Sequence, residues 1–588
     1  LVHPNYSINL TTNIFNKLNY FKVLFLTSAL LSYLSINSYG QLLKDKYEFT
    51  QQDTLRGTIN DNRKWWDVVH YALEVQPDFT NFTIKGINNI TFRVIDKISD
   101  RMQIDLQEPM IIDKVYFDQE KVAFYNHGNV WYVLLNTNHL APKNQPQKDS
   151  LNALHKLEIH FHGIPKPALH PPWDGGIVWN KDKNGNPWIG TACQGLGASS
   201  WWPCKDHQSD KPDSASIEVR IPDTLMNISN GRLASVIKHN DRTQSWKWIV
   251  SRPINTYNLT MNIGKYAHWA DTLQGEKGSL SLDYYVLDYE IEKARKQFEQ
   301  TKPMIKAFEN WFGPYPFYED GYKIVQTSYL GMEHQSAIAY GNNFENGYNG
   351  RDLSKTGQGL KWDFILIHES GHEWFGNHIT SKDVADMWIH EGFTNYSECL
   401  YMNDVFGTSE ANEYIIGLRK NVMNDKPVIG PYGVNKEGSS DMYYKASNML
   451  HTIRQIVNND SLFRNVLRKM NQQFCYSTTT TQEIEAFLIR ETGKPLQSIF
   501  DQYLRSVTIP ILEYYFLEKK GVVELYLRWQ NTVENFYMPV KIPVSKEETK
   551  WVTPTAEGIS ISGVNLSSDD FKSLLDPNFY IEYKLRKP

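Results

Sequence analysis

Cysteine is scarce. The 588 residues hold four: Cys193, Cys204, Cys399 and Cys475. Their spacing is no disulfide framework, so mostly free, buried thiols are expected and the fold must rest on its core. An excess of one charge is also missing. The formal net charge is −5, which gives neither nucleic acid nor an anionic membrane surface a reason to bind. No apolar run comfortably reaches the roughly 20 residues that span a bilayer. There is no internal repeat, no low-complexity tract, and no pattern that sets an oligomeric state. What remains is an ordinary globular composition, 41% hydrophobic and 22% charged. The length implies roughly two to four domains. Aromatics are plentiful at 13%, which suits β-rich domains and an aromatic-lined cleft.

The longest apolar run lies at the start. Lys17 and Lys22 precede Val23–Ile36, and Ser38-Tyr39-Gly40 follows with small residues. This pattern predicts a signal peptide cut near Gly40, hence an exported protein, periplasmic or secreted. Membrane association is expected only if the segment stays uncut. Leu1–Asn16 has no initiator Met and reads as upstream translation or a fragment.

Residues from about 60 to 265 read as strands. Ile84, Ile90, Phe92 and Val94 alternate with polar residues. Turns are expected at Gly86–Asn89 and Asn126–Asn129, and Asn184-Gly185 marks a hairpin. His155, His160, His162 and His170 cluster in sequence but lack flanking carboxylates or thiols, so they read as strand and loop histidines. Helical patterning takes over near Tyr289, with one amphipathic helix over Tyr289–Phe312. Thr480 and Glu483 make a capping box for a helix over 482–491. Strands return after Pro510, at Glu524–Trp529 and Met538–Val544.

The chemistry concentrates between Leu360 and Tyr396. A buried helix is expected over Leu360–Asn377, carrying His368-Glu369-Ser370-Gly371-His372. Residues four apart share a helix face, so His368 and His372 can offer two nitrogens to one metal. Glu369 is one residue round and within reach of a water there. Catalytic zinc takes three protein ligands and keeps one position open. Glu391, 19 residues after His372, can return a carboxylate from a second helix that starts near the capping residue Asp383. His378 and His390 compete for that role but do not share the face, and read as outer or surface histidines. Gly371 inside the helix points to close packing or substrate approach.

This motif, with Glu391 inside Trp388-Ile389-His390-Glu391-Gly392-Phe393, resembles the zinc aminopeptidases of the aminopeptidase N and leukotriene hydrolase family. The resemblance implies a multidomain α+β protein: an N-terminal β domain (41–265), a thermolysin-like, mostly helical catalytic domain (266–509) and a small C-terminal β-sandwich (510–588). It implies one zinc per chain, held by His368, His372 and Glu391, with Glu369 as general base. Gly331-Met332-Glu333 resembles the family's G-x-M-E-N motif, which implies that Glu333 binds the substrate's free amine and that Gly331 and Met332 line its site. Leu330 and His334 depart from that motif, and His334 puts pocket detail in question. Gln194, nine residues before Pro203, matches a second amine-binding position. Tyr443 matches the tyrosine that steadies the tetrahedral intermediate. Tyr444 is its competitor, and Ala446 replaces a glycine. Glu398, seven residues after Glu391, is placed either to orient a histidine or to stand as a solvated helix carboxylate.

The implied activity is release of N-terminal residues from peptides with a free N-terminus. Two alternatives are a zinc endopeptidase, which would not need Glu333 and Gln194, and a non-catalytic peptide-binding relative, which should have lost Glu369 or a ligand.

Overall fold

The computed structural model describes residues 49–135, 151–519 and 522–586. The export segment expected over residues 1–40 lies outside them. Among the described residues no helix is long and apolar enough to cross a membrane.

Among the described residues between Trp66 and Gly264 the regular structure is strand, apart from single 3₁₀ turns. An eight-stranded sheet runs from Arg232–Lys238 at one edge to Glu120–Lys121 at the other. Its central strand, Trp66–Asp78, pairs antiparallel with Thr83–Val94 and parallel with Ser214–Pro222. A four-stranded sheet contains the expected hairpin, Gly176–Lys181 with Pro187–Ala192. The turn expected at Gly86–Asn89 is not there, because those residues lie within the strand Thr83–Val94. The glycine and asparagines serve packing instead. A Cβ on Gly86 would lie 2.4 Å from the Glu74 carbonyl oxygen and 2.7 Å from Phe161 Cζ. The buried Asn88 amide donates to the Pro203 carbonyl at 2.8 Å. The strand histidines do have carboxylate partners, supplied by neighbouring strands as well as their own: His155 with Asp118, His160 with Glu158, His162 with Asp113. Each pair is separate.

A five-stranded sheet follows: Tyr266–Gly275, Gly278–Leu287, Tyr322–Gln326, Ile338–Tyr340 and the short edge strand Gly331–Met332. Successive side chains on a strand face opposite ways, and this sheet uses both faces. Tyr284, Val286, Ile324, Ile338 and Tyr340 pack into the core of the helical region. Tyr285, Leu287, Val325 and Ala339 pack into the core of the preceding β region. The sheet therefore joins two hydrophobic cores, and its edge strand comes to the surface of a cleft.

The expected helix over Tyr289–Phe312 is broken into Ile291–Gln297, a 3₁₀ turn at Phe298–Gln300, and Thr301–Phe312. Pro303 has no N–H to give to residue 299, so a continuous α-helix is excluded there. The C-terminal β region comprises a four-stranded and a two-stranded sheet, and its core is continuous with that of the helices. All four cysteines are free; Cys475 is exposed and the other three are buried.

The motif helix is shorter than expected, Phe364–Gly371. Its start is set by Asp363, whose Oδ1 accepts the Leu366 N–H. The same carboxylate accepts from Tyr340, Gln297 and Asn342. Beyond Gly371 the turns loosen, with Asn377 N–H donating to His372 O, five residues back. Gly376, at φ +122°, ends any helical course. Asp363→Ala should therefore strip a cap, leave the buried Tyr340 hydroxyl without its acceptor and take one acceptor each from Gln297 and Asn342. We expect a loss of about 2–4 kcal/mol, read as a lower chemical-denaturation midpoint. Asp363→Asn, which keeps an acceptor at the cap, should lose less.

Candidate active site

Three elements bring the site together. The motif helix carries His368 and His372 at its C-terminal end. The helix Trp388–Val405 carries Glu391 in its first turn, after a 3₁₀ turn, Val384–Asp386, that Asp383 caps. A Cβ on Gly371 would lie 2.4 Å from Ser397 Oγ, so the glycine is what lets these two helices touch. Packing, rather than substrate approach, explains it. The third element is the edge strand Gly331–Met332 with Glu333 beside it.

Glu391 Oε2 lies 3.6 Å from His368 Nε2 and 3.3 Å from His372 Nε2. All three side chains are buried. The far nitrogen of each ring is spoken for: His368 Nδ1 faces Glu398 Oε1 at 2.7 Å, and His372 Nδ1 faces the Phe375 carbonyl at 3.0 Å. Both partners only accept, so each ring carries its proton on Nδ1 and turns the Nε2 lone pair toward Glu391. Glu391 Oε2 is buried without a hydrogen-bond donor. Two Nε2 atoms and a carboxylate oxygen converging in this way call for positive charge between them, carried by ring protons or by a metal ion. The surrounding charges agree. Burial opposes a charge on His372, yet Glu391 and Glu333 raise it to about 9. Burial alone would raise Glu391, but the two imidazoles hold it far below the usual carboxylate range. Two imidazoles and one carboxylate at the wall of an open cleft are the donor set of a catalytic zinc, and these residues fit it.

Glu398, buried at the far side of His368, also accepts from Tyr414 at 2.6 Å and from Asn395. It orients the ring and is buried, so of the two readings its spacing allowed, the solvated helix carboxylate is set aside. His378 and His390 are not ligands, and neither is on the surface. His378 is buried against Asn471 and Cys475, and His390 Nε2 accepts the Ser381 N–H at 2.8 Å.

Glu369 is buried, which raises it to about 7 against the opposing pull of His368 and His372. A Cβ on Gly331 would lie 2.7 Å from Glu369 Oε1, so only glycine leaves room for this carboxylate beside the edge strand. Glu333 is buried two residues on, accepting from Tyr257 at 3.1 Å. Burial and Glu391 push it upward while His372 pulls it down. Ligand atoms of Glu333, Glu369 and His372 all lie within 4.8 Å of one another. Gln194 donates to Glu391 Oε1 at 3.2 Å, so its nearest partner is the third ligand rather than Glu333. Its carbonyl oxygen makes no hydrogen bond among the described residues.

The Tyr443 ring stacks on His368 with centroids 6.1 Å apart. Burial raises its hydroxyl, and then Glu391, Glu437, Glu333 and Glu369 do, so it faces the carboxylates of the cleft. Tyr444 also lines the cleft, but it is raised by burial and then by Glu398 and Tyr348, and so stands apart from those four carboxylates. The Ala446 methyl abuts Gly392, where a Cβ would come within 2.8 Å of it, so the helix of Glu391 accommodates this alanine. His334 does not line the cleft; it is fully buried, and burial lowers it to about 3.

The cleft encloses about 950 Å³. Its wall includes residues the sequence reading did not single out, among them Trp173, Asn395 and Glu437. Tyr257, which holds Glu333, was also missed. None of these carries a motif; each is recognisable only from its neighbours in space.

Two family models match this chain. The Peptidase M1 N-terminal domain covers residues 68–258, and the Peptidase family M1 domain covers residues 296–503. Leukotriene A-4 hydrolase of Xenopus laevis is 22% identical over 449 residues, 72% of this chain and 68% of that protein. Probable aminopeptidase 2 of Sulfurisphaera tokodaii is 23% identical over 374 residues, 60% of this chain and only 45% of that protein. Among solved structures, an M1 zinc metallopeptidase from Deinococcus radiodurans superposes with a TM-score of 0.61 at 18% identity, covering 76% of this chain and 95% of that one. Aminopeptidase A of Legionella pneumophila gives a TM-score of 0.68 at 14% identity, covering 89% of this chain and 60% of that one. Since the two models match its β region and its helical region in the order that the fold lays them out, the chain belongs to peptidase family M1.

Proposed function

We propose that this protein is a zinc-dependent aminopeptidase that hydrolyses the first peptide bond of peptides with a free N-terminus. One observation carries the reading: the Glu333 carboxylate is buried on the cleft wall beside His372 and Glu369, and among the described residues no Lys or Arg pairs with it. A substrate α-ammonium supplies that partner. The relatives named as aminopeptidases support the same reading.

His368, His372 and Glu391 would hold one zinc per chain. Bound there, zinc would supply a Lewis acid for the scissile carbonyl and lower the pKa of a coordinated water to about 7. The protein's own groups do the rest. Glu369, raised to about 7, takes a proton at its carboxylate near neutral pH and returns it to the leaving amine. Tyr443 keeps its proton, because burial and four carboxylates oppose its loss, and can donate it in a hydrogen bond to the oxyanion. Glu333 pairs with the α-ammonium, and the Gln194 carbonyl can accept a further hydrogen bond from it. With the amine fixed one residue from the reacting carbonyl, only the first bond reaches the water. The charged, apolar-centred segment before Gly40 supports an exported location.

The ligand assignment is checked by metal content. Glu391→Ala should lose zinc and all turnover, whereas Glu369→Gln should keep zinc and lose most turnover. Elemental analysis showing the reverse pattern would refute it. The oxyanion assignment is checked by kinetics. Tyr443→Phe should lower kcat by about 10²–10³ with little change in KM, and Tyr444→Phe should not. The amine assignment is checked with blocked substrates. N-acetylated peptides should be cut far more slowly than free ones, and Glu333→Gln should narrow that gap by slowing the free ones. Internal cleavage of blocked peptides at comparable rates would favour the endopeptidase alternative.

A further inference from the structure

Four carboxylates face one another in the cleft, and the proposed reaction uses three. Glu391 serves the metal, Glu369 the proton and Glu333 the amine. The fourth, Glu437, makes no hydrogen bond or ion pair among the described residues. It is not a loose surface side chain. Its loop is pinned at Gly438, where a Cβ would come within 1.9 Å of the Val428 carbonyl oxygen, and at Ser439, whose N–H donates to Pro427 O at 3.0 Å. On the other side, Asn435 donates to the Gly195 carbonyl at 3.2 Å. A Cβ on Gly195 would lie 3.7 Å from Glu437 Oε1. The carboxylate thus stands against the residue next to Gln194, on the cleft wall that carries the Gln194 amide to Glu391.

Its surroundings are mostly negative. Burial raises Glu437 to about 7, Glu391 and Glu333 push the same way, and Lys426 and Lys436 pull it back toward the charged form. A carboxylate held in such a place, without a partner of its own, is stabilised by a cation brought in from outside. The substrate can bring one. Its α-amine at Glu333 and its first carbonyl at His368, His372 and Glu391 fix two points of the first residue. The side chain of that residue is left to follow the rest of the wall, where Gly195, Leu196, Tyr443 and the half-buried Glu437 stand, with Lys426 and Lys436 on the same lining.

We propose that Glu437 receives the cationic side chain of a Lys or Arg at the substrate's first position and so sets a preference for basic N-termini. This rests on the aminopeptidase reading. Apolar first residues are disfavoured for the complementary reason: they would desolvate Glu437 and give it nothing in return.

The test compares kcat/KM for peptides that differ only at residue one (Arg, Lys, Met, Glu) and, separately, only at residue two. Wild-type enzyme should favour Arg and Lys over Met at residue one by about 10- to 100-fold, as expected for a charge-assisted contact. Glu437→Gln should erase that lead, chiefly by raising KM for Arg- and Lys-first peptides, and should ease the penalty on Met-first peptides. Glu437→Lys should turn the preference toward Glu. No basic preference in the wild type, a preference that survives in Glu437→Gln, or an effect that follows residue two would each overturn the proposal. A second arm measures equilibrium binding of L-arginine amide and L-methionine amide to zinc-loaded Glu369→Gln, with and without Glu437→Gln. Tighter arginine amide binding that depends on Glu437 supports the cation site even if wild type cuts no peptide, in which case the reaction assignment alone falls. Equal binding of the two amides overturns the site.

Discussion

Everything in the site depends on one close contact between two helices. Gly371 has no side chain, so the helix Trp388–Val405 can lie against the motif helix at Ser397. At that distance Glu391 reaches both imidazoles, and Glu398, two turns further along the same helix, reaches the back of His368. One helix therefore supplies both the third ligand and the group that fixes the tautomer of the first. The arrangement concentrates buried negative charge and leaves one carboxylate oxygen unpaired. Such a cost is sustained only where positive charge offsets it, and the geometry is that of a metal site.

The two hydrophobic cores explain where the cleft lies. The five-stranded sheet is shared between them, with alternate residues of each strand committed to opposite sides. Its edge strand is left at the junction, and Gly331 and Glu333 stand there facing the helices. The β region closes the junction from its own side. Asn255 donates to the Gly376 carbonyl and Asn258 to Asn377, while Tyr257 between them holds Glu333. These buried contacts join the backbone after His372 to the residue proposed to bind the amine, so metal position and amine position are set by one rigid block. The charge balance follows from the same geometry. Burial and mutual repulsion raise Glu333, Glu369 and Glu437, the imidazoles hold Glu391 low, and the four together keep the Tyr443 hydroxyl protonated and give positively charged groups a reason to enter.

The metal motif was legible because its logic is local. The spacing of His368 and His372 is a property of any helix, and the capping boxes and the hairpin at Asn184-Gly185 follow from a few adjacent residues. The division into a β region and a helical region was legible for the same reason, since periodicity of two or of three to four is written along the chain. Readings went astray where one residue type has two uses. Gly86 and Asn88 looked like a turn and proved to be packing residues inside a strand. Tyr289–Phe312 looked like one helix because its apolar spacing is continuous, although Pro303 breaks the hydrogen bonding beneath that pattern.

By itself, the sequence determined the elements and the chemistry they could carry: two histidines on one helical face, a glutamate between them, a carboxylate at the right distance to return. Only the tertiary structure decided which groups meet. Glu398 against His368, Tyr257 against Glu333, Gln194 against Glu391 and Glu437 against Gly195 are all contacts between residues distant in the chain. It also decided that Tyr443 rather than Tyr444 stands among the carboxylates of the cleft, a matter of one residue's rotation about a helix start. The physical reason is the same in each case: a side chain's charge, tautomer and orientation are set by its neighbours in space, and those neighbours exist only once the two cores have packed.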